Sequence, residues 1–347
     1  MNALRQSYRS SRGTASVDAG PVDDTTIDLP GAIDSFRRYL RASNRSDGTV
    51  GLYTTETAKL LAFLRDRGMP LTVGAVRREH LETYLAWLRD TGKKPATLSL
   101  TYRSLQQFWK WLLTEDEIAS SPMAKMRPPI VPEDPIQPLR QDQLEALLKV
   151  CSGTTFDDRR DYVVIQLLYD TGLRRGECAG LVVEDVDFDI NVVRVRGETS
   201  KSRRGRNAPI GPKTAKALDR YLRARAKHSA AAELVVNPRT HDPIGRNLWL
   251  GRRGRLTDNG ILQMVRRRGR EAGLEGLHPH LFRHSFADSM LRLGMQEGNL
   301  MRLGGWRSRG MLQRYGAGAA DDRARLAYDT ISKRDRFASE RLNALHA

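Results

Sequence analysis

The sequence has few cysteines and no long apolar run. Among its 347 residues only Cys151 and Cys178 are cysteines. Two cysteines cannot build a disulfide framework or a multi-cysteine zinc site, so we expect both to be reduced, small apolar residues in a cytosolic protein. No segment approaches the ~20 consecutive apolar residues that span a bilayer, so no membrane partner is expected. The first thirty residues lack the apolar centre of a secretory signal, and residues 1–26 are predicted to form a flexible polar arm.

Acidic residues are scarce relative to basic ones. Asp and Glu number 41 against 58 Lys and Arg, which gives a formal net charge of +17. Much of the excess is arginine in short clusters, and arginine binds phosphate through a planar fork of donors. A polyanion, above all DNA, is therefore the expected partner. The clustered arginines predicted to contact DNA are Arg203, Arg204, Arg206, Arg252, Arg253, Arg266 and Arg267.

Four apolar stripes with helical spacing lie within residues 27–126. In the fourth stripe, Leu105, Phe108, Trp109 and Leu112 recur at i, i+3, i+4 and i+7. Each stripe needs a partner to cover it, so a compact four-helix domain is predicted over these residues. We interpret the aromatic members of the stripe as core, since the spacing already explains them, and not as a platform that stacks bases.

A proline-rich segment separates this domain from the rest of the chain. Residues 127–138 contain five prolines and are interpreted as a semi-rigid linker. Residues 139–347 are predicted to form a mostly helical domain with a small antiparallel sheet, so the chain is of the mainly α, α+β class. Two short strands, Val192–Arg196 and Asn207–Ile210, are expected to form a hairpin with Lys201 at its basic tip. Helices are predicted near residues 141–150, 162–169, 212–228, 257–272, 279–293, 308–315 and 320–332.

Four residues of the second domain have the chemistry that DNA cleavage without hydrolysis requires. Arg174 and Arg283 can hold the phosphate charge as it grows in the transition state. Tyr315 can attack the phosphorus and store the broken strand covalently. Lys201 can protonate the departing 5′ oxygen. Taken singly, each has a simpler interpretation as a surface arginine, a phosphate-contacting lysine or a packed tyrosine.

Four further residues are candidates for supporting roles. His280 and His284 share a face with Arg283 if their segment is helical. The indole of Trp306 has one hydrogen-bond donor and no acceptor, so it can contact a phosphate but cannot act as a base, and it can equally be a core residue. Glu177 follows Arg174 by three positions and is either a surface carboxylate or a partner that fixes a neighbouring arginine or histidine.

Together these segments resemble the tyrosine recombinase (phage integrase) family. The segment from Thr171 to Glu177, Thr-Gly-Leu-Arg-Arg-Gly-Glu, is similar to the first arginine box of that family. His280-Leu-Phe-Arg-His is similar to its His-x-x-Arg box. Leu303-Gly-Gly-Trp, which ends nine residues before Tyr315, is similar to its third box, where the last position is more often histidine. The resemblance covers residues 139–320 and is specific as a set.

The resemblance implies a site-specific DNA recombinase or integrase that needs no metal, cofactor or ATP. Tyr315 would form a 3′-phosphotyrosyl link, Arg174 and Arg283 would clamp the scissile phosphate, and Lys201 would be the general acid. His280 would assist proton transfer, Trp306 would contact the phosphate, and Glu177 and His284 would support the site.

The same resemblance implies an architecture and an assembly. The domain at residues 27–126 would be a core-binding, SAM-like DNA-binding domain. A homotetramer would join two double-stranded DNA recombination sites through a Holliday junction, with a C-terminal helix in the domain at residues 139–347 for protomer contacts. An accessory DNA-bending protein and a cytoplasmic, nucleoid-associated location also belong to this expectation.

Three other functions are compatible with parts of the sequence. A DNA-binding regulator with a decayed active site fits the basic charge, although the full set of candidate residues counts against decay. A zinc nuclease would use His278, His280 and His284, but carboxylates and thiols are missing nearby. A type IB topoisomerase shares the tyrosine chemistry, and the motifs alone do not exclude it.

Overall fold

The chain forms two compact units, Met1–Glu133 and Asp134–Ala347, each with its own hydrophobic core. The division falls inside the proline-rich segment at residues 127–138. The predicted arm, residues 1–26, and most of the predicted helix at residues 320–332 lie outside the described residues. Of residues 230 and 313–316 only the backbone is described. The computed structural model describes residues 28–132, 136–197, 204–231, 246–251 and 254–316, and helical residues at 324–325, 328–329 and 332.

The first unit contains the four predicted helices. Helix α1 begins after Asp28, whose carboxylate accepts the backbone N–H of Gly31 at 3.0 Å, and α2 begins after Ser46, whose hydroxyl caps it in the same way. The stripe residues Leu105, Phe108, Trp109 and Leu112 are all fully buried, which confirms their interpretation as core. The helices are α1 (Leu29–Ala42), α2 (Asp47–Asp66), α3 (Arg78–Asp90) and α4 (Pro95–Thr114).

The second unit is built around one buried helix, α6 (Phe156–Thr171). Its residues 163–165 and 167–168 are fully buried, because α6 packs against neighbouring helices that include α8, α9 and α10. Both cores are therefore helical, as predicted. The other helices of this unit are α5 (Gln141–Lys149), α7 (Arg175–Ala179), α8 (Pro212–Arg225), α9 (Asp258–Glu271), α10 (Pro279–Arg292), α11 (Glu297–Gly304) and α12 (Arg309–Gly316).

A small antiparallel sheet covers part of this core, which confirms the predicted fold class. Its strands β1 (Val186–Asp187), β2 (Val192–Val195) and β3 (Arg206–Pro209) lie in the order β1-β2-β3. Val193 pairs with Ala208. Strand β3 is an edge strand that ends at Pro209, a suitable place for a residue that has no backbone N–H to donate. The hairpin tip with Lys201 lies outside the described residues. A second pair, β4 (Leu250–Gly251) and β5 (Gly254–Arg255), was not predicted.

A buried charge network joins α6 to α9. Asp161 is 0% exposed, and its carboxylate accepts hydrogen bonds from Arg160, Arg267 and Arg268, at 2.7 to 3.0 Å. Asp158 also accepts from Arg268 at 2.7 Å. The network satisfies a carboxylate that burial would otherwise penalise heavily, and it ties the central helix to its neighbour.

Candidate active site

The first arginine of the site is placed by a sharp turn at the end of α6. Gly172 ends the helix with φ 59°, in the left-handed region that favours glycine. A Cβ at this position would lie 2.5 Å from the Phe286 ring. The turn makes Arg174 the N-cap of α7, and its Nη2 donates to the Gly305 carbonyl at 3.3 Å.

The second arginine comes from the middle of α10. Arg283 is 0% exposed. Its Nη1 donates to the Gly172 carbonyl at 2.7 Å and its Nη2 to the Gly304 carbonyl at 2.6 Å. Its guanidinium carbon lies 4.0 Å from the centre of the Trp306 ring. Two carbonyl oxygens and an aromatic face thus stabilise a buried cation.

The turn after α11 brings the two arginines together. We call residues 304–306 the Gly304–Trp306 turn. Gly305 has φ 66° and caps α11, and the consecutive carbonyls of Gly304 and Gly305 accept from Arg283 and Arg174. A Cβ on Gly304 would overlap the Trp306 ring at 1.8 Å, so only glycine leaves room for the indole. Trp306 is itself nearly buried, with its ring stacked 6.5 Å from that of Phe286.

Glu177 is the carboxylate at the centre of the site. It is 1% exposed and accepts the backbone N–H and the Nη1 of Arg174, at 2.9 and 3.0 Å. Arg206 reaches it from β3 with two more hydrogen bonds. Burial would raise the pKa of Glu177, but Arg206 first and Arg174 second lower it to about 2. The carboxylate is therefore charged at any working pH.

The histidines of α10 lie beside Arg283 as their spacing predicts. The ring centres of His280 and His284 are 5.0 Å apart, with the rings nearly perpendicular. The pKa of buried His284 is lowered to about 4, first by desolvation and then by the charges of His280, His278 and Arg283. Desolvation and then Arg283, His278 and Arg174 also lower the pKa of His280, which reaches the surface. Both shifts favour the neutral imidazole, and a neutral His280 can accept a proton.

The described residues of the second unit contain neither a reactive cysteine nor a cluster of histidines that could hold a metal ion. Cys151 and Cys178 are both buried, and burial raises the pKa of the Cys151 thiol to about 12, which makes a thiolate scarce at neutral pH. Within the described ranges, no three His, Cys, Asp or Glu side chains are grouped to hold a metal ion. His278, His280 and His284 therefore do not form the cluster that a zinc nuclease would need.

The candidate nucleophile follows the Gly304–Trp306 turn on the next helix. Tyr315 lies in α12, and the backbone of this helix is held by Leu312, which is buried in a cluster with Phe286, Leu300 and Trp306. The tyrosine backbone is thus attached to the same small core as the tryptophan. The Tyr315 side chain lies outside the described atoms, as do the residues Lys201, Arg203, Arg252 and Arg253.

A basic cleft of about 650 Å³ opens beside the Gly304–Trp306 turn. Four arginines from two segments line it, and its described lining includes no carboxylate, so it suits a phosphate chain. Arg302 and Arg307 were not singled out from the sequence, although they flank Leu303-Gly-Gly-Trp on both sides, which was the available signal. The residues that line the cleft are Arg204, Gly205, Arg206, Met301, Arg302, Gly305, Trp306 and Arg307.

The other arginines predicted to contact DNA occupy different environments. Arg204 is exposed at the cleft, and Arg266 is exposed on α9. Arg267 is half exposed and donates to the buried Asp161 at 2.8 Å. Arg206 points inwards, with a side chain only 8% exposed. The alternation of side chains along β3 indicates this inward orientation, since Arg206 is two residues before the buried Ala208 and therefore on the same face of the strand.

Comparison with known families gives two matches along the chain. The model of the phage integrase family matches residues 137–321. The model of the phage integrase N-terminal SAM-like domain matches residues 33–118. The second match confirms the SAM-like fold expected for the first unit.

Curated relatives and solved structures agree with these matches. Tyrosine recombinase XerC of Azotobacter vinelandii is 32% identical over 266 residues, which cover 75% of this chain and 82% of that protein. XerA of Pyrococcus horikoshii is 29% identical, over 76% of this chain and 80% of the relative. The Tn1549 transposon integrase in complex with a circular intermediate DNA has a similar fold, with a TM-score of 0.68 at 19% identity over 88% of this chain and 100% of that one. The structure of a lambda integrase dimer bound to a COC′ core site has a TM-score of 0.63 at 17% identity, over 84% of this chain and 95% of that one.

Proposed function

The chain belongs to the phage integrase family and is a site-specific tyrosine recombinase, and we propose that it recombines double-stranded DNA by attack of Tyr315 on a phosphate held by Arg174 and Arg283. One observation carries the assignment of the site. The two arginines meet at consecutive carbonyls of the Gly304–Trp306 turn, at the edge of a basic cleft and directly before the helix that holds the tyrosine.

The arginines stabilise the charge on the phosphate as it passes through the transition state. Each guanidinium presents donors to the non-bridging oxygens and stays charged at any working pH. Arg283 is fully buried, so we propose that the Gly304–Trp306 turn opens when the phosphate binds. The Trp306 indole N–H then donates to a phosphate oxygen while Glu177 and His284 hold the arginines and His280 from behind.

Proton transfers complete the strand cleavage. The Tyr315 oxygen forms a bond to phosphorus and its proton passes to neutral His280, while the bond to the 5′ oxygen breaks and Lys201 protonates the leaving oxygen. The phosphotyrosyl bond conserves the energy of the phosphodiester. Attack by a 5′ hydroxyl of the other DNA site reverses these steps and rejoins the strands, so neither ATP nor a metal is required.

Recombination between two sites requires more than one protomer. We infer a homotetramer that exchanges strands in pairs through a Holliday junction, near the nucleoid and with an accessory DNA-bending protein where the site demands it. The solved complexes of similar fold contain DNA, which supports double-stranded DNA as the partner. Deleting residues 320–347 is expected to impair assembly of protomers on DNA more than binding of one protomer. Unchanged assembly would contradict the proposed docking role of the C-terminal segment.

Covalent trapping tests the chemistry directly. A randomised duplex library with nicks near the cleavage position is incubated with the protein in EDTA, and adducts that survive denaturation are isolated and sequenced. We expect an adduct that Tyr315→Phe abolishes and the matched control Tyr162→Phe, which removes a hydroxyl on α6, retains. Binding of library DNA without any adduct would favour the regulator, and cleavage that EDTA abolishes would favour a metal nuclease. Relaxation of supercoiled DNA that lacks the selected site would favour a topoisomerase.

A further inference from the structure

Arg206 directs its hydrogen bonds into the protein. Its Nε donates to the Leu303 carbonyl at 2.8 Å. Its two terminal nitrogens donate to the two oxygens of Glu177 at 3.1 and 2.7 Å, a paired contact of carboxylate and guanidinium. Each nitrogen of the guanidinium has a protein acceptor and the side chain is only 8% exposed, which distinguishes Arg206 from the exposed Arg204.

Glu177 connects Arg206 to the phosphate-binding arginine. The same carboxylate accepts the Arg174 Nη1 and backbone N–H. Burial would raise the pKa of Glu177, and the hydrogen bond and charge of Arg206 oppose this more strongly than those of Arg174. Arg206 is therefore the main reason that a nearly buried carboxylate stays charged between two guanidiniums.

We propose that Arg206 is a positioning residue, which fixes Glu177 so that Glu177 fixes the direction of the Arg174 guanidinium. The inference deepens the proposed function and rests on the role given there to Arg174. Without Arg206, the buried carboxylate draws more strongly on Arg174 and turns its donors away from the phosphate. The Nε bond to Leu303 also ties β3 to the last turn of α11, directly before the Gly304–Trp306 turn.

The test compares three substitutions in the full-length protein. Arg206→Gln removes the charge and the paired contact, and Arg206→Lys keeps the charge but not the planar fork. Arg204→Gln is the matched control, because it removes the same charge two residues away from an exposed side chain that lines the same cleft. Affinity for the selected DNA and the single-turnover rate of adduct formation at saturating protein are measured for each.

The expected results separate positioning from DNA contact. Arg206→Gln should bind DNA within about threefold of wild type but cleave on the order of 10²-fold more slowly, the loss typical of a misplaced catalytic group. The cleavage rate of Arg206→Lys should lie between those of wild type and Arg206→Gln, because the lysine ammonium keeps a single hydrogen bond to Glu177. Arg204→Gln should lose affinity, and the loss should grow with salt concentration. An Arg206→Gln defect confined to salt-dependent affinity would mean that Arg206 is a DNA contact and would overturn the inference.

Two modified substrates identify the group through which Arg206 acts. A methylphosphonate at the scissile position removes the negative charge that Arg174 balances, so it should shrink the defect of Arg206→Gln as it shrinks that of Arg174→Ala. A 5′-bridging phosphorothiolate leaves without a proton, so it should rescue Lys201→Ala but not Arg206→Gln. Rescue of Arg206→Gln by the phosphorothiolate alone would overturn the inference, since Arg206 would then act through the proton donor. A wild-type protein without adduct would overturn the proposed function as well, whereas an unchanged rate in Arg206→Gln would overturn this inference alone.

Discussion

Gly172 is expected to be a glycine of the active site at which substitution lowers both stability and activity. Gly172→Ala forces an L-residue into the left-handed region at φ 59°, which costs about 1–2 kcal/mol. Its Cβ would also lie 2.5 Å from Cδ1 and 2.9 Å from Cγ of the Phe286 ring, and overpacking of this kind adds typically about 1–3 kcal/mol. Together these terms predict a loss of about 2–5 kcal/mol in the free energy of unfolding of the second unit.

Gly273 provides a matched control for the backbone cost. It has φ 71° in the same unit, but no described atom lies within 4 Å of the position that a Cβ would take, so Gly273→Ala should cost only the backbone term of about 1–2 kcal/mol. The free energy of unfolding is measured by urea titration, with hydrogen exchange read on peptides from residues 139–316 to separate the two units. The double variant Gly172→Ala with Phe286→Leu should recover part of the loss, because a smaller side chain relieves the contact.

The same substitution should slow cleavage. The Gly172 carbonyl accepts the Arg283 Nη1 at 2.7 Å, so a displaced turn shifts the arginine that holds the phosphate. We expect adduct formation to slow by on the order of tenfold under conditions where the variant is still folded. If Gly172→Ala costs no more stability than Gly273→Ala and cleaves at the wild-type rate, the role assigned to the turn is refuted.

Three further predictions follow from burial and charge. The pKa of His284 is about 4 in the folded chain and ordinarily 6.5, so the unfolded chain binds a proton at higher pH than the folded chain does. The free energy of unfolding should therefore fall by about 3 kcal/mol as pH falls from 7 to 4. In urea titrations over this pH range, His284→Gln should reduce that dependence. Asp161→Asn should cost about 3–5 kcal/mol in urea unfolding because buried guanidiniums lose their carboxylate, whereas Asp219→Asn in an exposed pair should cost under about 1 kcal/mol. Trp306→Phe should keep a ring over Arg283 but lose the indole donor, so adduct formation should slow about tenfold. The smaller ring should also lower stability, because Trp306 is buried, so rates are compared under conditions where the variant is folded. Equal rates would contradict the proposed contact between Trp306 and the phosphate.

Local patterns in the sequence predicted the larger elements of this fold. The helices α1 to α4 carry long apolar stripes, and the alternation in β2 and β3 is enough to pair them. Helices α7 and α11 were not predicted, and α7, with five residues, is too short for a periodic apolar stripe to stand out. The strands β4 and β5 have two residues each, and only tertiary contacts define them.

The sequence singled out residues that the structure brings together, but it did not indicate their hydrogen-bond partners. Residue type and spacing pointed to Arg174, Arg283 and Trp306, since each is defined by its own motif. Their hydrogen-bond partners are mostly backbone carbonyls far along the chain, which no side-chain pattern encodes. Arg206 was grouped with exposed arginines because it lies in a basic run, and only its register on β3 distinguishes it.

The acceptors around Arg283 bear on how this site responds to mutation. Its two described hydrogen bonds end on the carbonyls of Gly172 and Gly304, atoms that every amino acid has. No exchange of an acceptor side chain can therefore delete them, and only a change that moves the main chain can. Sensitivity to substitution around this arginine is thus concentrated at the few positions that determine the path of the main chain, whereas the Glu177 pair can be lost by one codon change. A mutational scan of the residues around the two arginines should therefore give different patterns of lost activity. Around Arg283 the glycine positions should be sensitive, and around Arg174 the carboxylate of Glu177 should be sensitive.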